Sequence, residues 1–281
     1  MTALIASAKA EALRLRKWPA FWILMGCWLV LNLAFVYIFN FIAYRTGDTG
    51  MSSGVPKDVL LKQMLPAAVP EVFTQGMAMF GGALMLILGA LAVGSGYGWG
   101  TWKTVFTQGP SRRSVVGGTI AALAVVVSGL VVVAFAVDLA AASIVAATES
   151  QSMSLPSLSQ SVIGLVSGVL ILGMWTLGGV LIGAIARGPA LAVGLGLVWV
   201  LVVENLLRGV ASILGPMKAI TDYMPGTAAG SLAGTLRSVK GDPVPGVLDI
   251  LGRSESIVAL AVYIAVFIGG TVWLIGRRDL A

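Results

Sequence analysis

The chain has 281 residues, 58% hydrophobic and only 11% charged, with a formal net charge of +6 and a mean hydropathy of +0.96. A water-soluble domain carries about 25% charged residues, and no soluble fold of this length hides so much apolar surface, so lipid must cover part of it. With no histidine and one cysteine, Cys27, the chain lacks the usual ligands for zinc, haem or iron–sulfur clusters and the groups for serine or cysteine triads.

Residues 1–18 precede the first apolar run. Ile5, Ala8, Ala12 and Leu15 share one helical face, with Lys9, Arg14, Arg16 and Lys17 largely away from it. This pattern predicts an amphipathic helix on a membrane surface, its basic residues near lipid phosphates. A basic flank that only sets topology is the alternative.

A crossing needs about 20 apolar residues. Six stretches qualify, near 19–43, 72–93, 115–147, 162–186, 190–207 and 256–276. The fold class expected is an all-α integral membrane protein, one transmembrane domain over 1–281. The first run is longer than the apolar core of a signal peptide and lacks its small-residue cleavage pattern, so it reads as an anchor. The third exceeds what a bilayer requires and must tilt or project.

Lysine and arginine set the orientation. With the N-terminus inside, the inner segments hold Lys9, Arg14, Arg16, Lys17, Lys103, Arg112, Arg113, Arg187, Arg277 and Arg278. The outer segments, roughly twice as long, hold the other eight basic residues, so charge density favours both termini on the cytoplasmic side. The same distribution accounts for the positive charge without nucleic acid. Residues 44–71 read as a short irregular excursion. The largest outer segment, 208–255, contains a Gly-, Ala-, Ser- and Thr-rich stretch, 226–236, bracketed by prolines, which suggests short helices or a re-entrant element packed against protein. Gly164 with Gly168, and Gly179 with Gly183, follow the small-xxx-small spacing that lets helices approach closely.

Gly94-Ser95-Gly96-Tyr97-Gly98-Trp99-Gly100 is not a phosphate loop. Lys103 and Thr104 stand too far on for the G-x-x-x-x-G-K-[ST] pattern, and the dinucleotide spacing fails at Trp99 or Thr101. The chain therefore shows no nucleotide site of its own and is not read as an enzyme. In the next segment, Trp102, Val105 and Phe106 fall on one helical face and Gly109-Pro110 ends the helix. An aromatic knob of this kind docks into a partner's groove. Equally, tryptophans concentrate at membrane interfaces with no partner at all.

The basic N-terminal helix, six spans, and Gly100-Thr101-Trp102-Lys103-Thr104-Val105-Phe106-Thr107-Gln108-Gly109-Pro110-Ser111-Arg112-Arg113 between spans two and three resemble the type-2 ABC exporter permease family. Gly276-Arg277-Arg278-Asp279-Leu280 is similar to that family's usual ending. The resemblance implies a permease subunit of an ATP-driven exporter in a bacterial inner membrane. Two such subunits, identical or sister permeases, would work with two separate ATPase subunits and no cofactor. It also implies a coupling helix that touches the ATPase, with Trp99, Thr101, Trp102, Lys103 and Phe106 as the contact residues. Members often carry glutamate before the tyrosine of this segment, where this chain has Gly96. A secondary transporter and a non-transporting scaffold or immunity protein are the other functions this composition admits.

Ionisable groups inside spans are costly and face protein or water. Asn32, Asp138 and Glu204 are therefore candidate pathway residues, the two acids in the outer half of the bilayer by helical rise. In the structural alternative, Glu204 pairs with Arg208 one turn on and Asp138 reaches the outer headgroups.

Overall fold

The computed structural model describes residues 2–47, 55–211, 215–237 and 244–277, and among these the chain is all-helical. The first helix, α1 (Thr2–Lys17), gives way at Trp18, and Pro19 occupies the first position of α2 (Pro19–Leu33), where a missing N–H costs nothing. A π-turn at Ala34–Ile38 carries the helix into α3 (Phe39–Thr46), which Gly47 ends in the left-handed conformation. The segment expected to be irregular holds α4 (Lys57–Gln63) and the beginning of α5 (Val69–Gly76). A second π-turn, Met77–Gly81, leads without a break into α6 (Gly82–Gly98).

Gly100, also left-handed, turns the chain into α7 (Thr101–Thr107), which leaves α6 at 73°. Ser111 then caps α8 (Arg112–Thr148) by accepting from Ser114 N. A capping box between Ser157 and Gln160 starts α9 (Leu158–Ala186). After Arg187 and Gly188, Pro189 opens α10 (Pro189–Leu197), and a third π-turn, Val198–Val203, leads to α11 (Glu204–Ala211). Next come α12 (Gly215–Asp222), α13 (Pro225–Gly234) and finally α14 (Arg253–Arg277).

Among the described residues, five helical runs are long and apolar enough to cross a membrane: Pro19–Thr46, Arg112–Thr148, Leu158–Ala186, Pro189–Ala211 and Arg253–Arg277. They contain the runs expected near 19–43, 115–147, 162–186, 190–207 and 256–276, extended by a few residues. This is the architecture of a multi-pass membrane protein. The remaining expectation, 72–93, falls on the α5–π–α6 path, in which α6 alone has 17 residues.

The centre of the bundle is the seam between α6 and α9. Gly89 lies against the carbonyl of Thr176 and Gly179 against that of Leu86, so neither position has room for a methyl group. Close backbone approach gives these helices dispersion contact that lipid cannot compete for. Gly164 and Gly168 do the same for α5, against Pro70 and the Met77 side chain. Around the seam, Met85, Leu86, Leu172, Met174 and Val180 are buried, whereas Val125, Val132, Val202 and Val262 on the outer faces of the long helices are exposed. A greasy exterior over a small-residue interior is the pattern of a chain solvated by lipid.

The facing of the first helix differs from the expectation. The packed face of α1 is not the Ile5–Ala8–Ala12–Leu15 stripe. Ser7, Ala8, Glu11, Arg14 and Leu15 face the protein, while Ile5 and Ala12 are exposed. The helix lies along α8, where Gly118 admits Ser7, and rotates so that small and polar residues meet that notch. In the 208–255 segment, α13 is buried all round, because Gly, Ala, Ser and Thr side chains let it pack against α5, α9 and α14. Residues 244–252 run alongside it as a strap, with Leu248 N donating to Gly230 O at 3.1 Å and Leu251 N to Ser231 Oγ at 3.3 Å.

Candidate functional site

The elbow between α6 and α7 is the first region the sequence singled out. Trp102 does not project from it. Its ring is 7% exposed, Nε1 donates to Val93 O at 2.9 Å, and the indole fills the place a side chain at Gly96 would occupy. Phe106 stacks on it with ring centres 5.5 Å apart, half-buried, and the Arg112 guanidinium lies 5.7 Å from the Phe106 ring. The expected aromatic knob is therefore an anchor, turned inward because a glycine-lined notch and a spare carbonyl lone pair receive it. A glutamate at position 96 would meet the Trp102 indole, so its absence here follows from the packing.

What α7 shows to its surroundings is polar. Thr101, Lys103, Thr104 and Thr107 are exposed, and Trp99 just before the helix is 64% exposed, edge-on to Trp18 at 6.1 Å. Of the five residues expected to act here, Trp99, Thr101 and Lys103 are accessible and Trp102 and Phe106 hold the elbow in place.

A residue the sequence reading placed on the wrong side joins them. Arg14 points into the bundle, donating to Ala92 O at 2.7 Å and Ser95 Oγ at 3.4 Å, with an ion pair to Glu11 at 2.5 Å. A cation at the last turns of α6 complements the negative end of that helix. Arg14 and Trp102 thus grip neighbouring carbonyls, Ala92 and Val93, and tie α1 and α7 to the same turn. Only its (i, i+3) spacing from Glu11 hinted at this in the sequence.

Asn32 and Asp138, distant in sequence, meet in the interior. Asn32 Nδ2 donates to Asp138 Oδ1 at 2.6 Å, and Tyr37 OH to the Asp138 carbonyl at 3.0 Å. Asp138 is 0% exposed, so it does not reach headgroups. Asn32 Oδ1 and Asp138 Oδ2 have no hydrogen-bond partner among the described residues. The approach of α5 is possible because Gly76 faces Asn32. Tyr37 gave no signal in the sequence, since a tyrosine in an apolar run reads as interface.

Glu204 stands apart from that pair, at the third π-turn. It is 1% exposed, and its Oε1 accepts from Trp199 Nε1 at 3.1 Å and from Gly226 N at 3.2 Å. The Arg208 guanidinium, one turn on, acts on it through space but forms no close ion pair with it, donating to Asn205 Oδ1 at 2.8 Å. The carboxylate instead sits at the positive end of α13, where free backbone N–H groups favour an anion. Gly226 permits this because a side chain there would displace Glu204 Oε2. The carboxylate forms part of the wall of a cavity of about 810 Å³, between α6, α9, α11, α12, α13 and the strap.

Among the described residues no three metal-ligating side chains come together. The structure joins Asn32 to Asp138 but leaves Glu204 in a separate place, so the three expected pathway residues form two sites. No family model and no curated protein sequence matches the chain. Function must therefore be argued from its own chemistry.

Proposed function

We propose that the chain is the permease subunit of an ATP-driven exporter, a type-2 ABC permease, with ATP hydrolysis on separate subunits. The observation that carries this reading is the elbow: a short helix at 73° to the seam helix, anchored by Trp102 and showing a polar face with Lys103. An anchored lever rooted on a rigid seam transmits a push from outside the membrane into the bundle, which a scaffold has no need to do. In this reading residues 69–98 form a sixth span. The elbow and both termini are cytoplasmic, in a bacterial inner membrane. Two permeases, identical or sister chains, face two ATPases, and ATP binding draws their elbows together.

The contact surface we assign is the exposed face, Trp99, Thr101, Lys103, Thr104 and Thr107, with Trp102 and Phe106 as positioning residues. The test is co-purification of the full chain with an ATPase subunit encoded beside it. Lys103→Glu with Thr104→Arg is expected to abolish assembly and ATPase stimulation while leaving the permease folded. Unchanged assembly and stimulation would sink the assignment. Export that continues without ATP hydrolysis on an ion gradient, and stops in Asp138→Asn, would instead establish the secondary-transporter reading, which the buried Asn32–Asp138 pair favours.

A further inference from the structure

The charges lining the 810 Å³ cavity do not all have partners of opposite sign. Glu204 is held by an indole N–H and by the N-terminus of α13. Asp222 is paired with Lys218 at 2.7 Å. Arg208 remains. It is half-buried and gives one hydrogen bond to the neutral amide of Asn205. It lies within electrostatic reach of Glu204, one turn away, but forms no ion pair with it or with any other acid among the described residues. A guanidinium at a partly dehydrated wall is matched by an oxyanion, which its planar fork can take with two parallel hydrogen bonds. Much of the remaining lining is apolar, from Trp175, Val200, Leu201, Leu248 and Ile250. The volume falls in the range of small-molecule sites, about 300–1,000 Å³.

We propose that this cavity binds a monoanionic amphiphile, its phosphate or carboxylate headgroup on Arg208 and its apolar body along Val200, Leu201 and Leu248. Glu204 lies one turn from Arg208 on α11 and repels a second negative charge, so the ligand carries one anionic group and no more. The inference deepens the permease reading by naming a substrate class. It rests on that reading only for transport, since binding needs no ATPase.

The test uses the full-length chain in dodecyl maltoside. Its probes share one fluorophore-labelled acyl chain and differ in headgroup: phosphatidylglycerol, the uncharged diacylglycerol, and the free fatty acid. Wild type should bind the phosphatidylglycerol probe about tenfold more tightly than the diacylglycerol probe, the size of one charge-assisted contact. Arg208→Gln should erase that preference and Arg208→Lys keep part of it. Lys62→Gln, a basic residue away from the cavity, should leave it intact. If the fatty acid binds as tightly as phosphatidylglycerol, the site takes oxyanions in general. If only phosphatidylglycerol binds, the ligand is a phospholipid of the bilayer. Equal affinity of wild type for the phosphatidylglycerol and diacylglycerol probes, or a preference that survives Arg208→Gln, overturns the proposal. Should Arg208→Gln not elute as a folded species, Arg208→Lys decides, because undiminished affinity without the guanidinium fork also overturns it. Loss of ATPase assembly with binding intact would refute the permease reading alone.

Discussion

The elbow and the cavity are built from the same parts and do opposite things with them. In each, a tryptophan donates its indole N–H to a buried acceptor beside a glycine that leaves room: Trp102 to Val93 O over Gly96, and Trp199 to Glu204 near Gly226. At the elbow the acceptor is a neutral carbonyl, so the large ring closes the space completely. At the cavity the acceptor is a carboxylate, which needs polar neighbours to be buried at all, and the surrounding helices stay apart. The difference teaches that the charge of the acceptor, not the tryptophan, decides whether such a junction becomes packing or a site.

The sharpest way to break that comparison is to truncate both rings. Trp102→Ala should cost about 3–5 kcal/mol of unfolding free energy, the usual loss for a buried aromatic. Trp199→Ala, at a residue 41% exposed, should cost about 1–2 kcal/mol, mostly the lost bond to Glu204. Denaturant unfolding in detergent reads both, and equal losses would erase the distinction. The interior pair offers a reference without a tryptophan. Asn32→Leu strands a carboxylate and should destabilise by about 3 kcal/mol, whereas Asn32→Leu with Asp138→Leu should recover most of that.

Gly96→Glu places the side chain common in the resembling family where Trp102 now lies. Overpacking of this kind costs about 1–3 kcal/mol, and the displaced indole should move its fluorescence to the red. A variant with native stability and an unshifted spectrum would mean the notch is not shaped by Trp102. Glu204→Gln keeps an acceptor for Trp199 and Gly226 but removes the charge at the start of α13, for a loss of about 0.5–1 kcal/mol. Smallest of all, Lys103→Ala should change stability by less than about 0.5 kcal/mol, leaving its effect to assembly with the ATPase proposed above.

Much of the fold was legible. Five of the six expected apolar runs fall on helices long enough to cross a membrane, since that signal is carried by consecutive residues. The buried element after residue 208 was legible too, because small residues between prolines suit a helix surrounded by protein. The facing of short helices was not. The Trp102 side of α7 is its apolar side by periodicity, as expected, but the sequence does not say whether an apolar side meets a partner or its own bundle. That depended on Gly96 and the Val93 carbonyl being within reach. Arg14 misled for a related reason: a basic residue reads as solvent- or lipid-facing until a helix end with free acceptors is brought to it.

The candidate site divides the same way. Asn32, Asp138 and Glu204 could be picked out individually, because polar groups are rare in such runs. Their partners could not be named, since Asn32 meets Asp138 across 106 positions and Glu204 meets Gly226 across 22. The sequence by itself determined that this chain lives in lipid, roughly where its long apolar helices lie, and which few polar residues must find company. Only the tertiary structure decided which helix end holds Glu204, which ring fills Gly96, and that Arg208 faces a cavity with no ion-pair partner among the described residues. Composition and capping act over one or two turns, whereas satisfying a buried charge depends on backbone groups brought together by packing from distant parts of the chain.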